Sequence, residues 1–334
     1  MATINDVARI AGVSLATVSR VMRNQGSVKP TTRDRVLRVV EKLNYQPNAL
    51  AQQLRTQETH TVIVIVPNIG NTFFHKILLG IELEAEKNGY QVLIADMHNE
   101  PAVENYYFNA IQQHLVDGII SLSASVAKSL MNQVASEYPI VVACQYIEGI
   151  TPNITIDNVA AAKDMVGHLI NLGHRRIAHL TSNPASPLYR DRFNGYLAAL
   201  AQSGISVDLG LVQYCEPTIN GGFTAMEPLL ELNEPVTAVF AAGDTMAIGA
   251  MKRLKKAGLH VPEDIAIAGF DDIEISAEWE PALTTIHQPK FEIGQHAFSK
   301  LLKLIKKEPL LQTQEILDYS LIIRESCGSN RNKQ

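Results

Sequence analysis

The sequence predicts a small all-α head joined to a large α/β body made of two parallel-sheet lobes. Three observations carry this. Residues 1–46 hold three short amphipathic helical patterns and no strand signal. From residue 61 onward, β-rich apolar runs alternate with helical stretches, the pattern of parallel strands covered on both faces. That alternation proceeds to residue 157 and then starts again, which points to two similar lobes rather than one sheet.

In the head, Thr3 followed by Asp6 is an N-cap signature, and Ile4, Val7, Ala8 and Ala11 form the apolar stripe of a first helix ended by Gly12. Ser14 caps a second helix. There Ala16, Thr17 and Arg20 are expected to face outward, while Leu15, Val18 and Val21 are candidates for packing. Thr31 opens a third helix that buries Val36, Val39, Val40 and Leu43. Two short helices across a glycine turn make a helix-turn-helix. A reading helix needs small or hydrogen-bonding side chains at its N-terminus, which approaches the base edges. Ser14 and Thr17 suit phosphate contacts, Leu15 and Ala16 suit a thymine methyl, and Arg20 suits either a guanine edge or a phosphate. A three-helix bundle with no nucleic-acid role is the competing reading.

The turn and the small polar residues at the start of the second helix favour the first reading, and charge adds to them. Residues 1–60 carry nine Lys/Arg against four acids, a formal +5, so the remainder carries −10 of the net −5. A basic head on an acidic body fits contact with a polyanion at one end only.

The joint follows. Pro47 disfavours helical geometry at Gln46, and Asn48 is placed to cap a short helix, Ala49–Arg55. A helix this short is unstable in isolation and is expected to form only when something packs on it.

In the body, "TVIVIVPN", "YQVLIAD", "DGIISLS", "PIVVACQ", "RRIAHLTS", "AVFAAGD" and "DIAIAGFDD" read as strands. The helical stretches are 73–88, 103–114, 160–172, 193–203, 245–257 and 291–306. The lobes are expected at roughly 61–157 and 158–285, with the chain crossing back near Leu283–Pro289 and Glu315–Arg324. Ligands of open α/β sheets bind beyond the carboxyl ends of the strands. The residues there are Asn71, Phe73, Phe74, Gln145, Tyr146, Asp157, Asp244 and Asp271, with Arg192 expected to open a helix after a long loop. Carboxylates, amides, an arginine and aromatic rings suit a ligand with hydroxyls and a flat face. Asp157, Asp244 and Asp271 equally suit helix or turn caps, and Phe74 equally suits the core.

Composition narrows the function classes. The chain has 334 residues, 46% of them hydrophobic, and no apolar run near the roughly 20 needed to cross a bilayer. Its start lacks the basic and apolar stretches of a signal peptide, so a cytoplasmic protein with no membrane partner is expected. Cys144, Cys215 and Cys327 are odd in number and widely spaced, and the ten histidines show no metal spacing, so neither disulfide, metal nor cofactor is expected. GxGxxG after a strand, GxxxxGK[ST], GxSxG and HExxH are all missing, which argues against an enzyme. A solute-binding protein of a transport system is the alternative for the body; the added head argues against it.

The runs "TINDVARIAGVSLATVSRVMRN" and "VKPTTRDRVLRVVEKLNYQPNALAQQLR" resemble the LacI/GalR family of bacterial transcription regulators, and the resemblance extends over the whole chain. It implies a repressor whose paired heads bind a pseudo-palindromic operator as a homodimer. It also implies a periplasmic-binding-protein-like body with a small-molecule effector between the lobes. By the same resemblance 49–55 is a hinge helix entering the minor groove, with Leu54 as a wedge, Ala51 beside it and Leu50 at the helix–helix contact. Thr3, Asn24, Tyr45 and Asn48 join Ser14, Leu15, Ala16, Thr17 and Arg20 as DNA-contacting positions. Phe73, Phe74, Gln145, Asp157, Arg192 ("RDRFNGY") and Asp271 ("GFDD") match effector positions, and "LTTIHQPKFEIG" matches as well. Within the family, "TVIVIVPNIGNTFFHKILLGIELEAEKNGYQVLIAD" and "LIIRES" look most like the cytidine-responsive subgroup, which implies a nucleoside or pentose effector. The loop 182–189 departs from the purine-responsive pattern, and Leu15-Ala16 depart from the tyrosine and glutamine of the lactose-responsive pattern.

Overall fold

The computed structural model describes residues 2–22, 28–45, 58–98, 100–123, 134–147 and 152–329. It divides into two compact units, Met1–Thr59 and His60–Gln334. Helix Ala49–Arg55, with Asn48, Ala51 and Leu54, and also Asn24, lie outside the described residues.

The head is three helices: α1 (Ile4–Ala11), α2 (Leu15–Met22) and α3 (Pro30–Lys42). The Thr3 hydroxyl accepts from the Asp6 amide, and the Asp6 carboxylate accepts in return from the Thr3 amide at 3.0 Å. These bonds to Thr3, with a smaller contribution from Arg9, hold the Asp6 carboxyl below the usual carboxylate range. Gly12 takes a left-handed φ of 62°, which a residue without Cβ adopts freely, and its amide closes α1. Pro30 occupies the first turn of α3, where its missing N–H costs nothing, so the helix begins one residue before Thr31. Val7, Val18, Val21 and Val36 form the centre of a small core, with Val39, Val40, Leu43 and Tyr45 at its edge. Leu15, expected to pack, is 46% exposed: it opens α2 and is left outside that core.

In the body, β1 (Thr61–Val66), β2 (Gln91–Asp96), β3 (Gly118–Ser121), β4 (Ile140–Ala143), β5 (Asn153–Ile156) and β11 (Gln314–Leu317) form one sheet. Its order is β11-β5-β4-β3-β1-β2, and every pairing is parallel. Val62, Val64 and Val66 of β1 pack to one face, Ile63 and Ile65 to the other. Such double burial is why the strand reads as a continuous apolar run rather than an alternation. Helices α4 (Phe73–Lys87) and α5 (Pro101–Gln112) belong to this lobe. The second lobe holds β6 (Ile177–Thr181), β7 (Val212–Tyr214), β8 (Ala238–Ala241) and β9 (Ala266–Ala268), parallel in the order β7-β6-β8-β9. Its helices are α6 (Asn158–Asn171), α7 (Pro187–Gln202), α8 (Ile219–Ala225), α9 (Glu227–Leu230), α10 (Asp244–Lys256) and α11 (Ile275–Glu278). β7 is a three-residue edge strand that no sequence pattern announced.

The chain passes between lobes three times. It leaves the first sheet at Asp157, after β5. It returns between β10 (Thr285–His287) and α12 (Lys290–Ile305), then leaves again between β11 and β12 (Ser320–Ile322), which pairs antiparallel with β10. Helix α12 is locked to the first lobe by backbone-to-backbone approach. A Cβ on Gly80 of α4 would lie 2.2 Å from the Phe291 carbonyl, and one on Gly294 would lie 2.1 Å from that of Ile77.

Candidate functional site

In the head, the N-terminus of α2 is exposed. Ser14, Leu15, Ala16 and Arg20 are exposed and Thr17 is half-buried. The Ser14 hydroxyl accepts from the Thr17 amide at 3.2 Å and pairs with its hydroxyl at 2.9 Å. α2 is therefore capped from its own first turn, and its N-terminal side chains stand in solvent. This is the end a reading helix offers to base edges and phosphates. Thr3 caps α1, and Tyr45 packs against the head core.

The body holds a cavity of about 510 Å³ between its lobes. Asn68, Asn71, Phe73, Phe74, Ser123, Cys144 and Gln145 line it from the first lobe. Ser182, Asn183, Ser186, Tyr189, Arg192, Glu216 and Asp271 line it from the second. Nearly all follow the carboxyl end of a strand, as the topology demands.

Its charged centre is Arg192, only 2% exposed. The guanidinium meets the Asp271 carboxylate at 3.2 Å, donates to Asn158 Oδ1 at 3.1 Å and to the Ala242 carbonyl, and stacks 3.6 Å from the Phe270 ring centroid. Two of its five N–H groups are left without a protein partner among the described residues. Asp271 also accepts from Gln288 Nε2 at 2.7 Å. Burial pushes the Asp271 carboxyl up, and the adjacent Arg192 and Lys290 charges act against this. Asp271 and Asp272 have φ of 112° and 49°, conformations that non-glycine residues occupy only when held. Lys290, from α12 of the first lobe, holds them: its Nζ donates to both carbonyls. Asp272 in turn accepts from Arg324 at 2.7 Å and His287 at 2.8 Å. Burial opposes ionisation of Asp272, but these two partners prevail and its carboxyl is lowered.

Thus Asn71, Phe73, Phe74, Gln145, Arg192 and Asp271 are brought together, and three expected residues are not. Asp157 caps α6, accepting from the Ala160 amide at 2.9 Å. Asp244 is fully buried and accepts from Ser276 at 2.7 Å, Thr285 at 2.6 Å and the Ile273 amide at 3.0 Å. Burial, then the neighbouring Asp271, raise its carboxyl to about 7. Tyr146 turns away to bridge the lobes beside the cavity, donating to Asp191 at 3.1 Å and accepting from Arg190 at 3.2 Å. Arg192 does not open a helix either. Pro187 starts α7 earlier, because its fixed φ suits a first helical turn, and Arg192 sits on the second turn. Phe73 and Phe74 are each 7% exposed and pack edge to face, so little of either ring is open to the cavity. Asn68, Ser123 and Asn183 were missed, although the strand-end rule applied to β1, β3 and β6 reaches them; Glu216 follows β7, which no sequence pattern announced. Lys290 had no local signal.

Comparison with known proteins agrees with this geometry. Residues 3–48 match the model of bacterial regulatory proteins of the lacI family, and residues 166–327 match that of a periplasmic binding protein-like domain. The chain is 37% identical to the HTH-type transcriptional repressor CytR of Escherichia coli (strain K12), over 97% of this chain and 96% of that one. It is also 37% identical to catabolite control protein A of Priestia megaterium, over 97% and 98% of the two chains. The lac repressor dimer bound to operator and the anti-inducer ONPF superposes with a TM-score of 0.88 at 27% identity, over 98% of this chain and 99% of that one. An exposed, capped reading helix, a two-lobed body with a cavity between its sheets, and these matches along nearly the full length lead to one conclusion: the chain belongs to the lacI family of bacterial transcription regulators.

Proposed function

We propose that this regulator is a homodimeric repressor whose operator affinity is set by a nucleoside or pentose-like effector held in the 510 Å³ cavity between the lobes. The observation that carries the reading is the buried Arg192–Asp271 pair at the centre of that cavity. A buried charge pair needs hydrogen-bonding partners, and ligand hydroxyls add to those that Asn158, the Ala242 carbonyl and Gln288 supply. Asn71, Gln145, Phe73 and Phe74 complete the ligand's surroundings.

Ser14, Leu15, Ala16, Thr17 and Arg20 meet the operator in this reading. Thr3, Asn24, Tyr45, Asn48, Ala51 and Leu54 complete the contacts, with Leu54 as the minor-groove wedge. Dimerisation is supported by apolar side chains that the first lobe leaves exposed: Leu79 and Leu83 on α4, Leu93 and Ile94 on edge strand β2. Ligand binding shifts the equilibrium between lobe arrangements by no more than its preference for one of them. No described helix is long and apolar enough to cross a membrane.

A thermal-shift screen of nucleosides, pentoses and nucleobases tests the effector class. A ligand at about 100 times its Kd adds about 2.7 kcal/mol to the stability of the body, a rise of a few degrees in melting temperature. Flat responses across all three classes contradict the reading.

A further inference from the structure

We infer that Cys327 is a site of oxidation by hydroperoxides, a thiol paired with His168 and two hydroxyls and tied through Thr284 and Arg324 to the wall of the cavity between the lobes.

The three cysteines keep different company. Cys144 packs with the apolar core of the first lobe, and the Cys215 thiol faces Met246 Sδ at 3.5 Å. The Cys327 sulfur faces polar groups instead. His168 Nε2 of α6 lies 3.4 Å from it, Thr284 Oγ1 at 3.1 Å and Ser329 Oγ at 3.0 Å, and Ser329 Oγ is itself 3.1 Å from His168 Nε2. The Thr284 hydroxyl oxygen accepts from the Arg324 amide at 2.9 Å, while its hydrogen points to the sulfur. Hydrogen bonds donated to sulfur favour the thiolate, the form that reacts, and an adjacent imidazole takes up the thiol proton. Burial opposes ionisation of Cys327, but the bonds from His168, Ser329 and Thr284 prevail and lower its thiol to about 7. Burial raises the Cys144 thiol, and takes that of Cys215 up to about 11.

His168 also supplies the approach. It is half-buried and lines a groove of about 870 Å³ between α6, α7 and the segment joining β11 to β12. A small peroxide in that groove meets the ring whose Nε2 touches the sulfur. The thiolate attacks one oxygen of the peroxide, an S–O bond forms and the O–O bond breaks. Sulfur gives up two electrons to become a sulfenic acid, and the leaving hydroxide takes the proton held by His168 and departs as water.

The added oxygen has to displace one of the sulfur's partners, because Cys327 is only 1% exposed. Thr284 holds the Arg324 backbone, and the Arg324 guanidinium holds Asp272 at 2.7 Å and the Leu283 carbonyl at 2.8 Å. Asp272 adjoins Asp271 of the cavity wall, so oxidation at Cys327 is felt there.

The test treats the full-length protein with hydrogen peroxide in the presence of dimedone, which traps sulfenic acids, and reads each cysteine by peptide mass spectrometry. Exposure alone predicts that Cys327 reacts last, since Cys144 lines the cavity and Cys215 is half-buried. The inference expects the reverse, with Cys327 trapped at least about tenfold faster than either. It expects His168→Gln, which keeps a polar side chain but cannot take up the proton, to slow trapping at Cys327 by about tenfold. Amide exchange at 271–273 should quicken in the oxidised protein. If His168→Gln does not fold, the order of the three cysteines in wild type decides. Trapping of Cys327 no faster than Cys144 or Cys215, or only as fast as the body unfolds globally, overturns the inference. So does a wild-type rate in folded His168→Gln. Unchanged exchange at 271–273 after oxidation overturns the link to the cavity wall.

Discussion

Lys290 is buried to 3% exposure, donates to the carbonyls of Asp271 and Asp272, and sits 6.0 Å from the ring centroid of Phe73. One ammonium thus joins cavity-wall residues of both lobes. Burial lowers its pKa, and Asp271, Asp272 and Asp244 oppose this only in part. Lys290→Met leaves two carbonyls unpaired and is expected to destabilise the body by about 2–4 kcal/mol. It should also speed amide hydrogen exchange at 271–273 well beyond that of strand β6; unchanged exchange at 271–273 would show that another group holds the loop. Asp272 gives a pH test. Its folded carboxyl titrates below the unfolded value, so the Arg324 and His287 bonds add stability above the ordinary carboxylate pKa, and that stability is lost as pH falls through the folded value. The difference in unfolding free energy between wild type and Asp272→Asn should therefore be widest near neutrality, about 2 kcal/mol, and close in acid. At this scale the sequence was only half legible. Arg192 and Asp271 stood out, yet Asp157 and Asp244, at equally plausible strand ends, serve as a cap and a buried acceptor. The partners that decide Asp244, Ser276 and Thr285, lie 32 and 41 residues further on.

Among the elements, helix α12 does most to tie the crossing chain to the first lobe. Its approach to α4 depends on glycine at 80 and 294, where a Cβ would strike backbone rather than a yielding side chain. Gly80→Ala should push the helices apart and cost about 1–3 kcal/mol, read as a lowered denaturant midpoint. Retention of the wild-type midpoint would mean that the two helices tolerate wider spacing. Strands and long helices were largely readable from apolar runs and 3.6-residue periodicity, because most are buried on the faces those patterns mark. The edge strand β7 was not, since three residues are too few to carry a period. The start of α7 was placed late because every residue of its first turn, Pro187 to Arg190, is half-buried, so no face stands out to extend the helix backward.

At the scale of the whole molecule, the basic head and the acidic body divide two tasks that the family joins in one chain. The body's cavity is lined from both lobes, so any ligand gripping both walls acts on the arrangement of the lobes. By linkage, whatever the ligand does to DNA affinity, DNA does equally to ligand affinity. The most direct measurement is the affinity of the full-length chain for operator DNA, selected from a random duplex library, with and without the nucleoside or pentose that stabilises the body most. The account predicts a change of about 5–150-fold, in either direction, with the same factor recovered when ligand affinity is measured with and without DNA. Equal DNA affinities, while calorimetry shows the cavity filled, would contradict it.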